Sequence, residues 1–529
     1  MVNINDIYAK AIKQWQSSNF IEAKNYFKKI QKKQPANAEI LSYIGILDLQ
    51  LKNFKDGISC LKKANTINPS DKNIKVNLSN GLIDYSNELI NKNLFSQAID
   101  VLEESITFLP NNEATYLNLM RLYIAEKKFN KVKEKYEFLK KINPKNSNMY
   151  FLYANSLFDQ REFQAAIYFY EDAISLKPEF IECHFHLALC YEFIGKIKDA
   201  LNKYDECLKI NPNYDLALFN KSQLLLAINF FDEGWELYQK RWSLKKNLGR
   251  YFFNPKQELL IDSHFEKDIF IWAEQGVGDQ ILFASMLNDF NSLYKKITVS
   301  ADKRLVSLFK RSFPKIKFID QEKYLTVTFD RHLPMGNIGK FVRKDMNDFQ
   351  KQKPSYLFED KSLKNKFLSR FDKSKKIKCG LSWTSKNLKY GESKSLNFDT
   401  LAKYLNKEKF YYINLEYIQN QKEINNAIDK YHFDIYGAFE IDKFNDLESF
   451  AALVACCDLV VTISNVTAHF AGAMGIKTVL LVPYSYGRFW YWSDNEKSKW
   501  YPSVKIIRQK DQFGWSEALK ELEDYLINF

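Results

Sequence analysis

Residues that could do chemistry first appear in the loop Glu274-Gln-Gly-Val-Gly-Asp279, between a predicted strand and a predicted helix. Its two glycines let the backbone come close to a ligand, and the start of a helix favours negative charge. We therefore predict that Gln275, Gly276 and Gly278 bind a substrate. A tight turn in which Asp279 only caps the helix accounts for the same residues equally well.

Three further loops follow predicted strands. Trp383-Thr-Ser-Lys386 places a cation and two hydroxyls at a strand end, and Ser464-Asn-Val-Thr-Ala-His469 leads into a helix of small residues. The aromatic run Arg488-Phe-Trp-Tyr-Trp492 either walls a pocket or packs between two lobes, and the sequence favours neither. The candidate substrate-binding residues in these loops are Trp383, Ser385, Lys386, Ser464, Asn465, Thr467, His469, Arg488 and Trp490.

Short β-rich runs alternate with helical stretches after residue 267, which indicates parallel sheets. The predicted strands are Asp268–Ala273, Lys296–Ser300, Ile316–Ile319, Leu325–Phe329, Ile377–Trp383, Phe410–Asn414, Asp458–Ile463, Thr478–Val482 and Val504–Ile507. We also predict a helix over Gln280–Leu293 and a lysine-rich linker between two lobes over Lys361–Lys378. Ligands of open parallel sheets bind beyond the carboxyl ends of the strands, so the loops above are expected to meet in the cleft between the lobes.

A 34-residue repeat precedes these strands. Half of the 12 prolines lie at steps of 34, 41, 34, 34 and 34 residues: Pro35, Pro69, Pro110, Pro144, Pro178 and Pro212. The residues twelve positions earlier are tiny, apart from one valine, as the close contact of two helices requires: Ala23, Gly57, Ala98, Val132, Ala166 and Ala200. This is the tetratricopeptide period of one helical hairpin per repeat. We predict about seven hairpins that end near Lys245, with one lengthened around Lys72–Asn93.

The totals exclude several classes of protein. No apolar run approaches the roughly 20 residues that span a bilayer, and the first residues lack the pattern of an export signal, so a cytoplasmic protein is expected. The seven cysteines form no C-x-x-C pair, which indicates reduced thiols and no structural zinc. The net charge of +13 is spread along the chain and favours a solvated lysine-rich surface over nucleic-acid binding.

Several segments together carry a family resemblance: Gly234–Arg241, Trp272–Asp279, Gly380–Trp383, Asn465–Gly475, Trp500–Ser503 and Arg508-Gln509. In this order they resemble bacterial tetratricopeptide-repeat proteins whose C-terminal half is a GT-B glycosyltransferase similar to lipopolysaccharide heptosyltransferases. The resemblance covers essentially the whole chain. It implies two Rossmann-like lobes, a nucleotide-sugar donor held mainly by the C-terminal lobe, and a transfer without metal or cofactor.

The resemblance also implies roles for single residues. Asp279 matches the general base, which takes the proton of the attacking acceptor hydroxyl. Asn465, Thr467 and His469, at a helix start, would stabilise the leaving diphosphate, and Lys386 would supply a cation.

Two departures from the relatives stand out. Ser464 replaces a common Asp, and Ser393-Lys-Ser395 replaces an Arg-Ser pair. The second change keeps a positive charge but loses bidentate phosphate contact.

We therefore predict an all-α tetratricopeptide superhelix (1–247), a connector (248–267), an N-terminal GT-B lobe on the acceptor side (268–372) and a C-terminal nucleotide-sugar lobe (373–529). The predicted function is transfer of a sugar to a protein or peptide acceptor held in the repeat groove. The repeats could instead dimerise or brace the second half. The alternative function is a non-catalytic adaptor with a degenerate transferase domain, for which Ser464 is the best support.

Overall fold

The computed structural model describes residues 3–244, 258, 267–294, 296–371, 375–387, 390–418, 421–432, 434–485, 489–492, 496–511 and 514–529. The chain divides into two compact units, Met1–Ile194 and Gly195–Phe529. The division falls inside the repeats, so the second unit contains both the last repeat helices and the parallel sheets. Each unit is described by itself below.

The first unit consists of antiparallel helical hairpins. Its helices are α1 (Ile4–Gln16), α2 (Phe20–Lys33), α3 (Ala38–Gln50), α4 (Phe54–Ile67), α5 (Lys72–Asn91), α6 (Phe95–Phe108), α7 (Glu113–Ala125), α8 (Phe129–Ile142), α9 (Ser147–Asp159), α10 (Phe163–Leu176) and α11 (Ile181–Phe193). The second unit begins with three more repeat helices: α12 (Ile197–Ile210), α13 (Asp215–Ala227) and α14 (Phe231–Tyr238). These fourteen helices, counted over the described residues, confirm the prediction of about seven hairpins.

The repeat positions have the predicted roles. Each of the six prolines lies two residues beyond the end of a helix, where its missing N–H costs no helical hydrogen bond. The tiny residues lie where helices touch, since a Cβ added to Gly57 would stand 2.8 Å from the backbone oxygen of Gly45. The lengthened hairpin is also confirmed: α5 has 20 residues and α3 has 13, so the insertion adds two helical turns.

The hairpin turns share a backbone feature that the residue types hide. At the turn within each hairpin one residue has a positive φ: Ser18, Lys52, Asn93, Lys127, Arg161, Gly195 and Asn229. They follow the same 34- and 41-residue steps as the prolines. Only one of them is glycine, so the sequence carries little signal of this left-handed turn.

The rest of the second unit contains two sheets with exclusively parallel pairing among the described strands. The strands are β1 (Asp268–Trp272), β2 (Lys296–Ala301), β3 (Lys317–Asp320), β4 (Arg331–Pro334), β5 (Ile377–Ser382), β6 (Phe410–Asn414), β7 (Ile435–Tyr436), β8 (Leu459–Ile463), β9 (Lys477–Val482) and β10 (Val504–Arg508). Their orders are β3-β2-β1-β4 and β10-β9-β8-β5-β6-β7. Eight of the nine predicted strands are confirmed to within one residue at each end.

Helices connect these strands. They are α15 (Val277–Ala284), α16 (Leu287–Leu293), α17 (Val306–Ser312), α18 (Gly339–Val342), α19 (Met346–Gln350), α20 (Lys361–Phe371), α21 (Gly391–Lys394), α22 (Phe398–Ala402), α23 (Gln421–Tyr431), α24 (Leu447–Val454), α25 (Val466–Ala473) and α26 (Ser516–Asn528). Short 3-10 turns cover Gln239–Leu244, Gln321–Thr326 and Met335–Ile338.

Three local predictions are wrong. The helix predicted over Gln280–Leu293 is two helices, α15 and α16, with a break between them. The linker predicted over Lys361–Lys378 is mostly the helix α20, because Phe367 and Phe371 lie one turn apart on one face and are buried.

The strand predicted over Leu325–Phe329 is not formed. Leu325 is 82% exposed at the end of a 3-10 turn. Val327 and Phe329 pack against Phe270 and Trp272 without joining the ladder, and the place beside β1 is taken by β4. The alternating apolar residues therefore reflect side-chain packing alone.

The last repeat hairpin, α13 and α14, shares the core of the sheet region. Phe231, Trp235 and Tyr238 belong to the same buried cluster as the residues of β1 and α15. The indole of Trp235 donates to the backbone oxygen of Arg343 (2.8 Å). It also lies on Gly339, where a Cβ would stand 2.3 Å from the ring. This hairpin is therefore a structural part of the α/β region.

Candidate functional site

A cavity of about 330 Å³ lies beyond the carboxyl ends of β1, β5 and β8. The three predicted polar loops meet there, as expected for parallel strands. Predicted residues that line it are Gly276, Gly278, Asp279, Ser385, Lys386, Ser464, Asn465, Thr467 and His469. Both sheets therefore contribute to one site.

The glycine loop and the histidine loop touch directly at Gly278. A Cβ added to Gly278 would stand 2.9 Å from Cδ2 and 3.3 Å from Nε2 of His469. The imidazole thus occupies the space that a side chain at position 278 would need. The second glycine of the loop is required by this close approach of α25 to α15.

Asp279 lies half-buried on the cavity wall, in the first turn of α15. One carboxylate oxygen accepts a hydrogen bond from the backbone N–H of Gly276 (3.2 Å), so Asp279 does cap the helix. Burial raises the pKa of the carboxyl to about 6, and the neighbouring Glu274 adds to the rise. Capping and acid–base chemistry are therefore compatible, because the same carboxyl titrates close to neutral pH.

Lys394 is one of two buried lysines on the cavity wall, the other being Lys443. Lys394 is 3% exposed, and its ammonium donates to the backbone oxygen of Ser464 (2.9 Å) and lies 4.5 Å from the centre of the Phe489 ring. Burial lowers the pKa of the ammonium to about 8, although the charge of Asp279 opposes the fall. The residue belongs to the Ser393-Lys-Ser395 segment in which the sequence departs from its relatives.

His469 is a neutral, buried member of the site. Its Nδ1 is 2.8 Å from the hydroxyl of Tyr501, which leaves the Nε2 edge toward Gly278. Burial, together with the positive charge of Lys394, lowers the pKa of the imidazole to about 3. At neutral pH this ring can donate and accept hydrogen bonds but carries no charge.

Ser464 and Asn465 use their polar groups within the protein. The hydroxyl of Ser464 accepts a hydrogen bond from the indole of Trp492 (2.9 Å). Asn465 caps α25 by accepting from Thr467 N–H (3.0 Å) and donates to the hydroxyl of Ser382 (2.8 Å). Asn465 thereby ties the loop after β8 to the end of β5.

A buried carboxylate shapes the loop that carries Ser385 and Lys386. Glu416 accepts hydrogen bonds from the backbone N–H groups of Trp383 (3.0 Å) and Thr384 (2.8 Å). The backbone N–H of Lys386 donates to the hydroxyl of Tyr417, and its ammonium lies 5.6 Å from the centre of that ring. Glu416 and Tyr417, at the end of β6, therefore fix where this loop enters the cavity.

Three predicted site residues are placed differently. Gln275 donates to the hydroxyl of Tyr238 (3.1 Å). Trp383 is fully buried and stacks on Phe398, with ring centres 4.2 Å apart. Trp490 packs edge-on against Trp235. Arg488 lies outside the described residues.

Residues that the sequence did not single out complete the cavity. They include Arg304, Asn387, Tyr417, Lys443 and Phe444, and the predicted aromatic run adds Phe489 and Tyr491. Arg304 follows β2 and donates to the backbone oxygen of Phe444 (2.9 Å), and so links the loops of the two sheets. Arg304 and Tyr417 follow predicted strands, a position that could have flagged them. Lys443 and Phe444 follow only the two-residue β7, which was not predicted.

The described residues contain neither a metal-ligand cluster nor a membrane-spanning helix. No three His, Cys, Asp or Glu side chains come together in a way that could hold a metal ion. None of the described helices has the length and apolar character to cross a bilayer.

Comparisons with known proteins emphasise the repeats. Residues 122–207 match the family described as anaphase-promoting complex, cyclosome, subunit 3. Hsp70-Hsp90 organizing protein 3 of Arabidopsis thaliana is 23% identical over 146 residues, which are 28% of this chain and 25% of that protein. The structure of YrrB, described as a TPR protein with an unusual peptide-binding site, covers 37% of this chain and 97% of its own, at 16% identity and a TM-score of 0.30.

One relative reaches beyond the repeats. Protein FlbA of Caulobacter vibrioides is 26% identical over 434 residues, which are 77% of this chain and 72% of that protein. The repeat helices end at Tyr238 and cannot supply that share, so the similarity extends into the sheet region. The chain is thus a tetratricopeptide-repeat protein with a C-terminal region of parallel sheets and helices, similar to FlbA over much of both parts.

Proposed function

We propose that this chain is a glycosyltransferase of the GT-B type, which moves a sugar from a nucleotide-sugar donor to a protein acceptor presented by the repeats. The observation that carries the proposal is the cavity itself. It places a carboxyl with a raised pKa and a buried lysine together, beyond the strand ends of two parallel sheets. Ligands of such sheets bind at these ends.

Asp279 is the proposed general base. Transfer requires an acceptor hydroxyl to lose its proton as the oxygen attacks the anomeric carbon. A carboxylate whose pKa is about 6 is ionised at neutral pH and is a stronger base than an ordinary aspartate. His469 suits this role less, because burial and Lys394 hold the pKa of its imidazole at about 3.

Lys394 is the proposed partner of the leaving group. As the bond to the sugar breaks, the nucleoside diphosphate gains negative charge, which a nearby ammonium and the N-terminus of α25 stabilise. The sequence pointed to Lys386 for this role. Lys394 is the better candidate because it is buried, and charge interactions are stronger where water is excluded. Lys386, on the Tyr417 ring, then serves the outer part of the donor.

Binding of nucleoside diphosphates tests the donor site first. Isothermal titration of the full chain with a panel of nucleoside diphosphates should give binding to at least one, weakened about tenfold or more in Lys394→Met. A useful control is Lys378→Met, which changes a lysine at the opposite end of β5. Binding by none of the panel, or binding unchanged in Lys394→Met, would reject the donor site.

Catalysis is tested separately. Mass spectrometry of proteins from cells with and without the gene identifies the acceptor as a mass difference. In the purified reaction Asp279→Asn should reduce turnover by a factor of about a hundred or more while donor binding persists. Retained turnover in this variant would remove Asp279 from the mechanism.

A second candidate function is a non-catalytic adaptor, in which the repeats bind a partner protein and the sheet region senses a nucleotide. The hydrogen bond from Trp492 to Ser464 favours it, because it occupies the side chain at the position where relatives carry a carboxylate. Ser464→Asp distinguishes the two functions. If the natural protein is inactive and this variant gains donor hydrolysis, the sheet region is a decayed transferase.

A further inference from the structure

The turn that carries Asp279 is held in place by side-chain contacts with the last repeat hairpin and the residues just after it. Glu274, the first residue of the turn, is buried, and it pairs with the fully buried Arg241 just beyond α14. Arg241 Nε donates to one carboxylate oxygen of Glu274 (2.9 Å), and a terminal nitrogen donates to the other. This is a bidentate pair, the geometry that an arginine provides and a lysine does not.

The remaining hydrogen bonds of this pair are also satisfied. The second terminal nitrogen of Arg241 donates to the backbone oxygen of Tyr238 (2.8 Å) and to the side chain of Asn337 (2.7 Å). Glu274 accepts a further bond from the N–H of Gly336 (2.6 Å). A Cβ at position 336 would stand 2.7 Å from the same carboxylate oxygen, so a residue larger than glycine would crowd the pair. A buried ion pair is tolerated only when it is this completely bonded.

A second contact acts on the next residue. Gln275 has a φ of +60°, in the left-handed region that residues other than glycine rarely adopt. Its side chain donates to the hydroxyl of Tyr238 on α14 (3.1 Å). The hairpin thus fixes Glu274 and Gln275, the two residues before Gly276. The backbone N–H of Gly276 in turn donates to the Asp279 carboxylate.

We propose that Arg241 is a positioning residue for Asp279, so that the last repeat hairpin is part of the catalytic site. The inference rests on the proposed function, in which Asp279 is the base. It depends on a series of contacts that runs from the end of α14 through Glu274 and Gln275 to the Asp279 carboxyl.

Charge gives the inference a measurable consequence. The ionisable groups around Asp279 are Glu274, Lys394, His469 and the hydroxyls of Tyr238, Tyr491 and Tyr501. The negative charge of Glu274 raises the pKa of Asp279. Removing the Glu274 charge while keeping Arg241 should therefore lower the pKa of Asp279.

Carboxyl-selective ¹³C NMR of the full-length protein provides the test, with Asp279→Asn to assign the signal. In Glu274→Gln the titration midpoint of Asp279 should fall by about one pH unit. Tyr238→Phe removes only one hydroxyl, so the fold should persist. The kcat of sugar transfer should fall severalfold in this variant, with little change in the KM for the acceptor. Lys221→Gln is the matched control, since Lys221 on α13 pairs with Glu233 on α14 of the same hairpin, and also with Asp205 on α12.

An unchanged midpoint in folded Glu274→Gln overturns the inference. If Glu274→Gln does not fold, Tyr238→Phe decides, and kcat equal to that of Lys221→Gln overturns it. The titration is a property of the free protein. If the Asp279 titration midpoint shifts in Glu274→Gln but the natural protein has no transfer activity, the proposed function is rejected. The effect of Glu274 on Asp279 is then still supported.

Discussion

Asp279 and Lys394 have pKa values that are shifted toward each other, to about 6 and about 8. The proposed reaction needs the carboxylate form of Asp279 and the ammonium form of Lys394. Activity should therefore rise as pH increases through about 6, where Asp279 loses its proton. It should fall as pH increases through about 8, where Lys394 loses its proton. The measurement is kcat/KM from pH 5 to pH 10, and the expected profile is bell-shaped.

Variants separate the two limbs of this profile. Lys394→Arg keeps its positive charge throughout the range, so the alkaline limb should move out of the measured window while the acid limb stays. A profile that is flat between pH 5 and pH 7 would contradict the assignment of Asp279. An alkaline limb retained in Lys394→Arg would assign that limb to Lys443, whose pKa burial also lowers to about 8, and would contradict the assignment to Lys394.

The two glycines of the loop offer a matched steric test. In Gly278→Ala the new methyl would overlap the His469 ring, so the ring or the loop must shift, and we expect at least a tenfold loss of kcat/KM. In Gly276→Ala the nearest atom is 3.6 Å away, an ordinary contact, and the loss should be far smaller. Equal losses in the two variants would show that the contact with His469 does not matter.

Each repeat hairpin has one residue with a left-handed backbone conformation in its turn, and most of these residues are not glycine. Lys127, between α7 and α8, is exposed and has a φ of +56°. Lys127→Gly should stabilise this hairpin by about 0.5–1 kcal/mol, because the relief of the left-handed strain exceeds the entropic cost of glycine. Native-state hydrogen exchange of α7 and α8 in the full chain measures the change.

Glu126→Gly is the control for this turn. Glu126 is also exposed but has a φ of −85°, so glycine brings the entropic cost, removes an exposed ion pair with Lys128 and should destabilise the hairpin. Destabilisation by both substitutions would mean that the lysine side chain contributes more than its backbone strain costs.

Particular elements show what the sequence can and cannot predict. Phe410–Asn414 was predicted without error, because a buried parallel strand is a nearly continuous run of aromatic and apolar residues. Leu325–Phe329 carries a different strand signal, alternating apolar and threonine residues, but it has no partner strand, and pairing is a property of the whole sheet. The loops of the site were predicted to meet because the carboxyl ends of parallel strands share one edge. Lys443 was missed, because only tertiary packing brings it into the cavity.

At the scale of the whole molecule, the division into two compact units does not follow the division into repeats and sheets. The sequence predicts that the repeat domain ends at residue 247. The second unit instead begins at Gly195 and includes α12, α13 and α14. A change of periodicity marks where the secondary structure changes, whereas a compact unit ends where few contacts cross.

This difference predicts the behaviour of two truncated proteins. A fragment of residues 195–529 keeps Phe231, Trp235 and Arg241 in the core and should fold, unfold cooperatively and bind the same nucleoside diphosphate as the full chain. A fragment of residues 248–529 loses three aromatic rings of the last hairpin from that core and leaves Glu274 buried without its partner. An unpaired buried charge alone costs about 3–5 kcal/mol, a large part of the stability of a typical domain. The shorter fragment should therefore be insoluble or molten, as judged by yield and near-UV circular dichroism. If it folds and binds nucleotide as tightly as the longer one, the last repeat hairpin is dispensable and the boundary read from the periodicity is the functional one.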